Sequence, residues 1–319
     1  MFEPRPTKTE LNSLSSRPLS GSLHEGSVPE EGFLLRDISF AYDRQPVLRG
    51  INLNLPPGKF YGIVGPNGCG KTTLLDLLTG TRKTQRGTVH FQGREIGSYR
   101  RRHLARKLAL VPQEYAIDFG FRVEEIVMMG RHPHLPRFGN PRPDDWKLIG
   151  AIMDEIGIGH LAGRAVTELS GGEKQRVAVA RALAQQTPTL LLDEATASLD
   201  IRYTLNIMAA LRRRVEREGQ TVIAVLHDLN LAAAFCQHLI FLHQGQIHAF
   251  GPTHKVLTPE NIHRVFGVEG QVAFNEFNQA LQVSYELRDG QQPSREGRDL
   301  KSIPDQTRSH DISVNRAPL

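Results

Sequence analysis

Gly65-Pro66-Asn67-Gly68-Cys69-Gly70-Lys71-Thr72-Thr73 lies between two apolar runs, Lys59-Phe60-Tyr61-Gly62-Ile63-Val64 and Leu74-Leu75-Asp76-Leu77-Leu78. The first run has the length and composition of a buried strand. The second reads as the opening turns of a helix with an apolar face. Strand, glycine loop and helix in that order form an anion cradle, because successive backbone N–H groups point inward and the helix N-terminus adds partial positive charge. Gly68 and Gly70 let the backbone close around phosphate oxygens where a Cβ would obstruct it. Lys71 is placed to reach β- and γ-phosphates, and the Thr72 hydroxyl to hold Mg²⁺. A chance lysine in a glycine-rich turn would lack both flanks, so the stretch predicts binding of a nucleoside triphosphate.

With 319 residues the chain has room for one large α/β domain or two of ordinary size. Its hydrophobic fraction of 39% is low for a compact chain, and polar ends account for part of the deficit. Residues 1–30 are rich in Pro, Ser, Gly, Glu and Lys without periodicity, and 288–319 turn to Arg, Asp, Gln, Ser and Pro. Both read as disordered, a leader and a tail around an ordered unit at 31–287. A net charge of +5 points to anionic ligands, a membrane surface or nucleic acid without choosing among them. Two cysteines, Cys69 and Cys236, cannot build a disulfide framework or a zinc site, which favours a reducing compartment. Positive potential at the loop would lower the pKa of Cys69, but occupancy of a small-residue position is the simpler reading. No stretch approaches the roughly 18 apolar residues of a membrane span, and the N-terminus lacks the apolar segment of a signal peptide. The chain reads as soluble and cytoplasmic on its own account.

Upstream of the loop, Phe33 to Tyr42 and Val47 to Leu55 alternate as antiparallel strands. Downstream, Gly87 to Phe91 reads as another strand, closed by a turn at Gly93. Ser98 to Lys107 reads as a basic helix whose arginines form a solvated face. Leu108 to Val111 is a buried strand stopped by Pro112-Gln113. Helical patterns from Val123 to Ile156, broken at Gly130 to Pro136, predict a helical insertion over about 115–172 within an α/β domain. A helix follows Gly172. Thr189 to Leu192 and Thr221 to Leu226 are the apolar runs that a parallel sheet covered on both faces requires, with an amphipathic helix, Thr204 to Glu218, between them. Leu239 to Leu242 and Gln246 to Phe250 suggest a hairpin, and Pro259 opens a short helix ending at Gly267.

Asp193 and Glu194 stand at the carboxyl end of a buried strand, the edge where open parallel sheets bind ligands. Asp193 would hold Mg²⁺ through its water shell, and Glu194 would orient or deprotonate an attacking water. His227 ends the neighbouring strand and should face the γ-phosphate. Gln113, after its own strand, would reach the metal and the water. Tyr42 offers a flat face for adenine. Leu169-Ser170-Gly171-Gly172-Glu173-Lys174-Gln175-Arg176, taken alone, is a helix N-cap with flexible glycines.

The place of that last segment, shortly before Leu190 to Glu194, resembles the signature sequence of ABC-transporter ATPases. The other pieces are similar to family motifs in family order: aromatic A-loop Tyr42, Walker A from Gly65 to Thr73, Q-loop Gln113, Walker B Leu190 to Glu194, D-loop Ser198-Leu199-Asp200 and H-loop His227. The resemblance covers roughly residues 33 to 267. It implies an α/β fold with a P-loop NTPase (RecA-like) core, an N-terminal antiparallel β subdomain and a helical insertion. It also implies ATP and Mg²⁺ as cofactors, and a head-to-tail homodimer in which Ser170, Gly171 and Gly172 contact the γ-phosphate held by the partner's Walker A. Walker B is usually followed by proline in this family, and here by Ala195, which should loosen the entry to the D-loop slightly.

Val127-Met128-Met129-Gly130-Arg131-His132-Pro133-His134, His227 to Ala232 and Val256 to Val268 narrow the resemblance to importers of iron-siderophores, haem and cobalamin. That subfamily implies a separate transmembrane permease, a periplasmic or lipoprotein solute receptor, a peripheral place on the cytoplasmic face of the inner membrane, and no nucleic acid. The permease contact would fall near Gln113 to Arg131, with Phe119, Phe121 and Met128 as candidates. His132 and His134 lack further paired ligands and read as loop contacts. Rival readings are an ABC importer or exporter for another solute, a soluble ABC ATPase acting on nucleic acid through the basic helix, and a regulatory module that does not turn over.

Overall fold

The two apolar runs around the glycine loop become strand and helix, and two sheets are built about them. The structure, a computed structural model, describes residues 32–113, 119–136 and 139–286. In chain order it begins with β1 (Phe33–Tyr42), β2 (Gln45–Leu55), β3 (Phe60–Val64), α1 (Lys71–Leu78), β4 (Arg86–Phe91) and β5 (Arg94–Glu95). Then come α2 (Arg101–Leu104), β6 (Leu108–Val111), α3 (Val123–Met129), α4 (Pro143–Glu155) and α5 (Gly171–Ala184). After these follow β7 (Thr189–Asp193), α6 (Ile201–Glu218), β8 (Thr221–Val225), α7 (Leu229–Phe235), β9 (His238–His243) and β10 (Gln246–Pro252). The described chain ends with α8 (Thr253–Val256), α9 (Pro259–Phe266), β11 (Glu269–Asn275) and β12 (Ala280–Glu286).

The central sheet has the order β10-β9-β3-β8-β7-β6 and is parallel except for its edge strand β10. The second sheet, β2-β1-β4-β5, is antiparallel. Side-chain alternation splits the central strands between two cores. Leu190, Leu192, Val222 and Ala224 face the core that α3, α4, α5 and α6 complete. Leu191, Ile223 and Val225 face the other, where Leu74, Leu77 and Leu78 of α1 are covered in turn by Ile38, Leu48 and Ile51 of the antiparallel sheet. Burial on both faces is why these strands are apolar without a break.

Local signals act as read at two ends: Ser170 caps α5, and Gly267 closes α9 in the left-handed conformation with φ 70°. Gly219, which the sequence reading passed over, closes α6 in the same way with φ 66°. Two readings need correction. The basic segment forms a helix only over Arg101–Leu104, after a single tight turn at Ile96–Ser98. Its arginines are exposed as read, and two of them also bond: Arg106 Nε donates to Pro133 O at 2.7 Å, and Arg102 donates to Pro133 O and Leu135 O. These carbonyls belong to a loop far along the chain, which no local pattern announces. Met128 is 6% exposed and packs in the first core, so it offers no surface to a partner; Phe119 and Phe121 are exposed. The hairpin β11–β12 has no counterpart in the sequence reading. The leader at 1–30, the tail at 288–319 and residues 114–118 of the expected permease contact lie outside the described residues.

Candidate nucleotide site

Strand register brings the candidate residues to one edge. Val225 pairs with both Ile63 and Asp193, and Leu192 pairs with Val111, so β3, β6, β7 and β8 end level. Gly65, Gln113, Glu194 and His227 all leave the sheet at that carboxyl edge. The loop from Gly65 then turns into α1 through Gly70, whose φ of 106° and crowding against Leu48 Cδ2 (2.8 Å from a Cβ built there) leave room only for glycine. Gly68 has open space around it, but its φ of 75° is also in the left-handed region that favours glycine.

Lys71, buried in the loop, donates from Nζ to Gly65 O at 3.0 Å and Pro66 O at 3.1 Å. The Thr72 hydroxyl donates to Asp193 Oδ1 at 3.2 Å. Burial raises the pKa of Asp193, a tendency that the Thr72 bond and Lys71 offset and that Glu194 and Asp76 reinforce. Gln113 Nε2 donates to Glu194 Oε2 at 2.8 Å, and His227 Nε2 lies 2.5 Å from Glu194 Oε1. Glu194 itself sits in the left-handed region with φ 49°, a conformation that β-carbon-bearing residues adopt rarely. A proline at 195 would bias the preceding backbone toward extended angles, so Ala195 removes a restriction at the position that needs freedom.

Tyr42, Val47, Asn67, Gly68, the start of α1 from Lys71 to Thr73, Gln113, Glu194 and His227 surround one cavity of about 430 Å³. Tyr42 is 38% exposed at its rim, its hydroxyl 3.4 Å from Thr73 Oγ1. The cavity has room and donors for a triphosphate along the loop. The Thr72 hydroxyl and Asp193 carboxylate are the hard oxygen pair that suits Mg²⁺, which keeps waters and phosphate oxygens as its other ligands. Cys69 is buried, and burial raises its thiol pKa more than Lys71 lowers it. It is an inert space-filler rather than a reactive thiol.

Ser170, Gly171, Gly172 and Asp200 do not line this cavity. Ser170 Oγ accepts from Glu173 N at 3.3 Å, while Glu173 Oε2 accepts from Ser170 N and Oγ, each at 2.9 Å. Gly172 lies against Ser198 O and Leu199, and Asp200 stands at the N-cap of α6. Signature and D-loop stretches thus adjoin each other and stand outside the cavity that the glycine loop lines. His134 Nε2 is 2.8 Å from Gln185 O, the loop contact its isolation implied. Sequence reasoning missed Arg82, whose guanidinium lies 4.7 Å over the Tyr42 ring. It also missed Glu173, although a serine followed three residues later by glutamate is a readable capping box.

A glycine loop at the carboxyl edge of a parallel sheet, with an aspartate and a glutamate at the end of the next strand but one, defines a P-loop nucleotide-binding protein. The chain belongs to the ABC transporter family, whose model matches residues 48–197, as one of its ATP-binding proteins. It is 38% identical over 248 residues to the cobalamin import ATP-binding protein BtuD of Halobacterium salinarum, an alignment covering 78% of this chain and 61% of that protein. The chain therefore spans less than two thirds of that relative's length. It is 42% identical over 228 residues to the hemin import ATP-binding protein HmuV of Pseudomonas putida, covering 70% of this chain and 88% of that one. Among solved structures it superposes on MJ0796, a bacterial ABC transporter cassette described as dimeric, with a TM-score of 0.64 and 27% identity over 70% of this chain and 99% of that one.

Proposed function

We propose that this protein is the ATP-hydrolysing subunit of a bacterial ABC importer, powering uptake of an iron chelate (siderophore or haem) or cobalamin through a separate membrane permease. The observation that carries the reading is the convergence on one cavity of the phosphate loop with Gln113, Glu194 and His227, beside the bonded pair Thr72–Asp193. The cargo class rests on the likeness to relatives named for cobalamin and hemin import.

In this reading Tyr42 stacks on the adenine, and the loop amides from Asn67 to Thr73 surround the phosphates. Lys71 leaves its two carbonyl partners for the β- and γ-phosphates. Thr72 and Asp193 would hold Mg²⁺, which when bound neutralises charge on the β- and γ-oxygens. Glu194 takes a proton from, or orients, the attacking water, and His227 steadies both that carboxylate and the γ-phosphate. Ser170, Gly171, Gly172 and Asp200, outside the chain's own cavity, serve the cavity of a second copy in a head-to-tail homodimer. Closure of that dimer on ATP moves the permease, and hydrolysis reopens it. The subunit works peripherally at the cytoplasmic face of the inner membrane, downstream of a periplasmic or lipoprotein receptor.

Phosphate release by the chain assembled with its permease tests the proposal. Glu194→Gln is expected to lower turnover by about 10²–10⁴-fold, the usual worth of a general base, while ATP still binds. Wild-type turnover in that variant would remove Glu194 from its role. Stimulation of turnover by receptor loaded with haem, a siderophore or cobalamin, compared side by side, identifies the cargo.

A further inference from the structure

Past Glu194 and His227 the nucleotide cavity continues into a second one of about 550 Å³ that shares both residues. Its apolar part is formed by Leu199, Ile201 and Leu205 on the α6 side and Leu231 and Phe235 on α7, while Glu194, His227 and Asp228 are among its polar lining. Two of them stand open to water, Ile201 at 80% and Leu205 at 45% exposed. At the edge of the same cavity is the turn between β11 and β12. Asn278 of that turn lines the cavity, and its neighbour Phe277 is 97% exposed.

The turn is firmly built. Phe277 N donates to Asn275 Oδ1 at 2.9 Å, and Ala280 N donates to Asn278 Oδ1 at 3.2 Å. The hairpin is gripped from α7, where Asn230 accepts from Val283 N at 2.6 Å through Oδ1 and donates to Val283 O at 3.2 Å through Nδ2. Asp228 caps that helix one residue after His227. A rigid support thus holds an aromatic ring out in solvent beside an apolar hole it does not fill. A knob and a hole on one face are the two halves of an isologous contact, in which each copy's knob enters the other's hole.

We propose that Phe277 of each copy seats in the Ile201–Leu205 hole of a second copy, so that the β11–β12 hairpin extends the dimer interface beyond the nucleotide. The inference rests on the homodimer reading above. A second copy is the occupant because the hole is continuous with the cavity that only another copy's signature completes, and because the ring that fits it is already on the same face.

The test uses the full chain carrying Glu194→Gln with Mg-ATP, its dimerisation followed by sedimentation. Adding Phe277→Ser is expected to raise the dimer dissociation constant about tenfold, as loss of a buried aromatic anchor does. ATP binding measured at protein concentrations too low for dimer, and the melting temperature without nucleotide, stay unchanged, since Phe277 is 97% exposed in its own chain. Mixing copies that carry Phe277→Cys with copies that carry Ile201→Cys, under a mild added oxidant such as oxidised glutathione, should give an ATP-dependent disulfide between them, the native cysteines being buried. Unchanged dimerisation in the serine variant, with no cross-link, overturns the hairpin contact and leaves the dimer reading standing. Failure of the parent Glu194→Gln chain to dimerise at all overturns both. If Phe277→Ser spares the dimer but weakens co-purification with the permease or binding to lipid vesicles, the face belongs to the membrane side and the proposal falls.

Discussion

Both oxygens of the Glu194 carboxylate are held, one by Gln113 and the other by His227, in a backbone conformation that few non-glycine residues adopt. Each oxygen keeps a lone pair beyond its present partner, so in the proposed role Glu194 would accept a water without first releasing Gln113 or His227. Tyr42 does face an exchange. Arg82 covers one side of its ring and Phe40 meets it in a T-shaped contact with centroids 5.0 Å apart, so a base would compete with these partners for the ring. Tyr42→Ala is expected to weaken ATP binding about fivefold, near the 1 kcal/mol an aromatic stack adds, whereas Tyr42→Phe keeps the ring and loses only a long contact to Thr73. Equilibrium binding of a fluorescent ATP analogue to both variants checks this, and equal weakening by the two would shift the effect from ring to hydroxyl.

Among the elements, α5 depends most on its first turn. Bonds from the Ser170 backbone N–H and hydroxyl hold the Glu173 carboxyl below the ordinary glutamate range. Folding therefore favours the ionised form. The contribution is complete above the unfolded-state pKa and is lost as pH falls through the lower folded value. Melting temperature against pH should drop on the acid side in the wild type, and Glu173→Gln should remove that part of the drop. An unchanged acid limb would show the cap to be energetically idle. Element by element, the helix caps and sheet strands were readable because their signals lie within a few residues of each other. The basic segment was not, because Arg102 and Arg106 answer to carbonyls of Pro133 and Leu135. Nor was β11–β12 assigned, though Val272 and Phe274, then Leu281, Val283 and Tyr285, do alternate.

At the scale of the molecule one sheet serves two cores, so its central strands carry the stability of both. Leu191, fully buried at the middle of β7, faces α1 and the antiparallel sheet. Leu191→Ala is expected to cost about 2–5 kcal/mol, the range for a buried leucine truncated in a tight core, read from the urea midpoint. Nucleotide should restore part of this loss, because a ligand that binds only the folded state stabilises it by mass action. Absence of any recovery with Mg-ATP would separate the β7 edge from the nucleotide cavity.

By itself the sequence determined the glycine loop, the strand before it, the helix after it and the acids ending β7, since each depends on neighbours in the chain: an apolar run, a missing Cβ, a capping hydroxyl. The tertiary structure alone decided that Val111, Leu192, Ile63 and Val225 fall in register and so bring Gln113, Glu194 and His227 to one cavity. It also decided that Met128 is inside, that Ser170 to Gly172 stand outside the cavity that the chain's own phosphate loop lines, and that Phe277 projects beside an open hole. These are distances between residues far apart in sequence, set by how sheets and helices pack, and no local pattern encodes them.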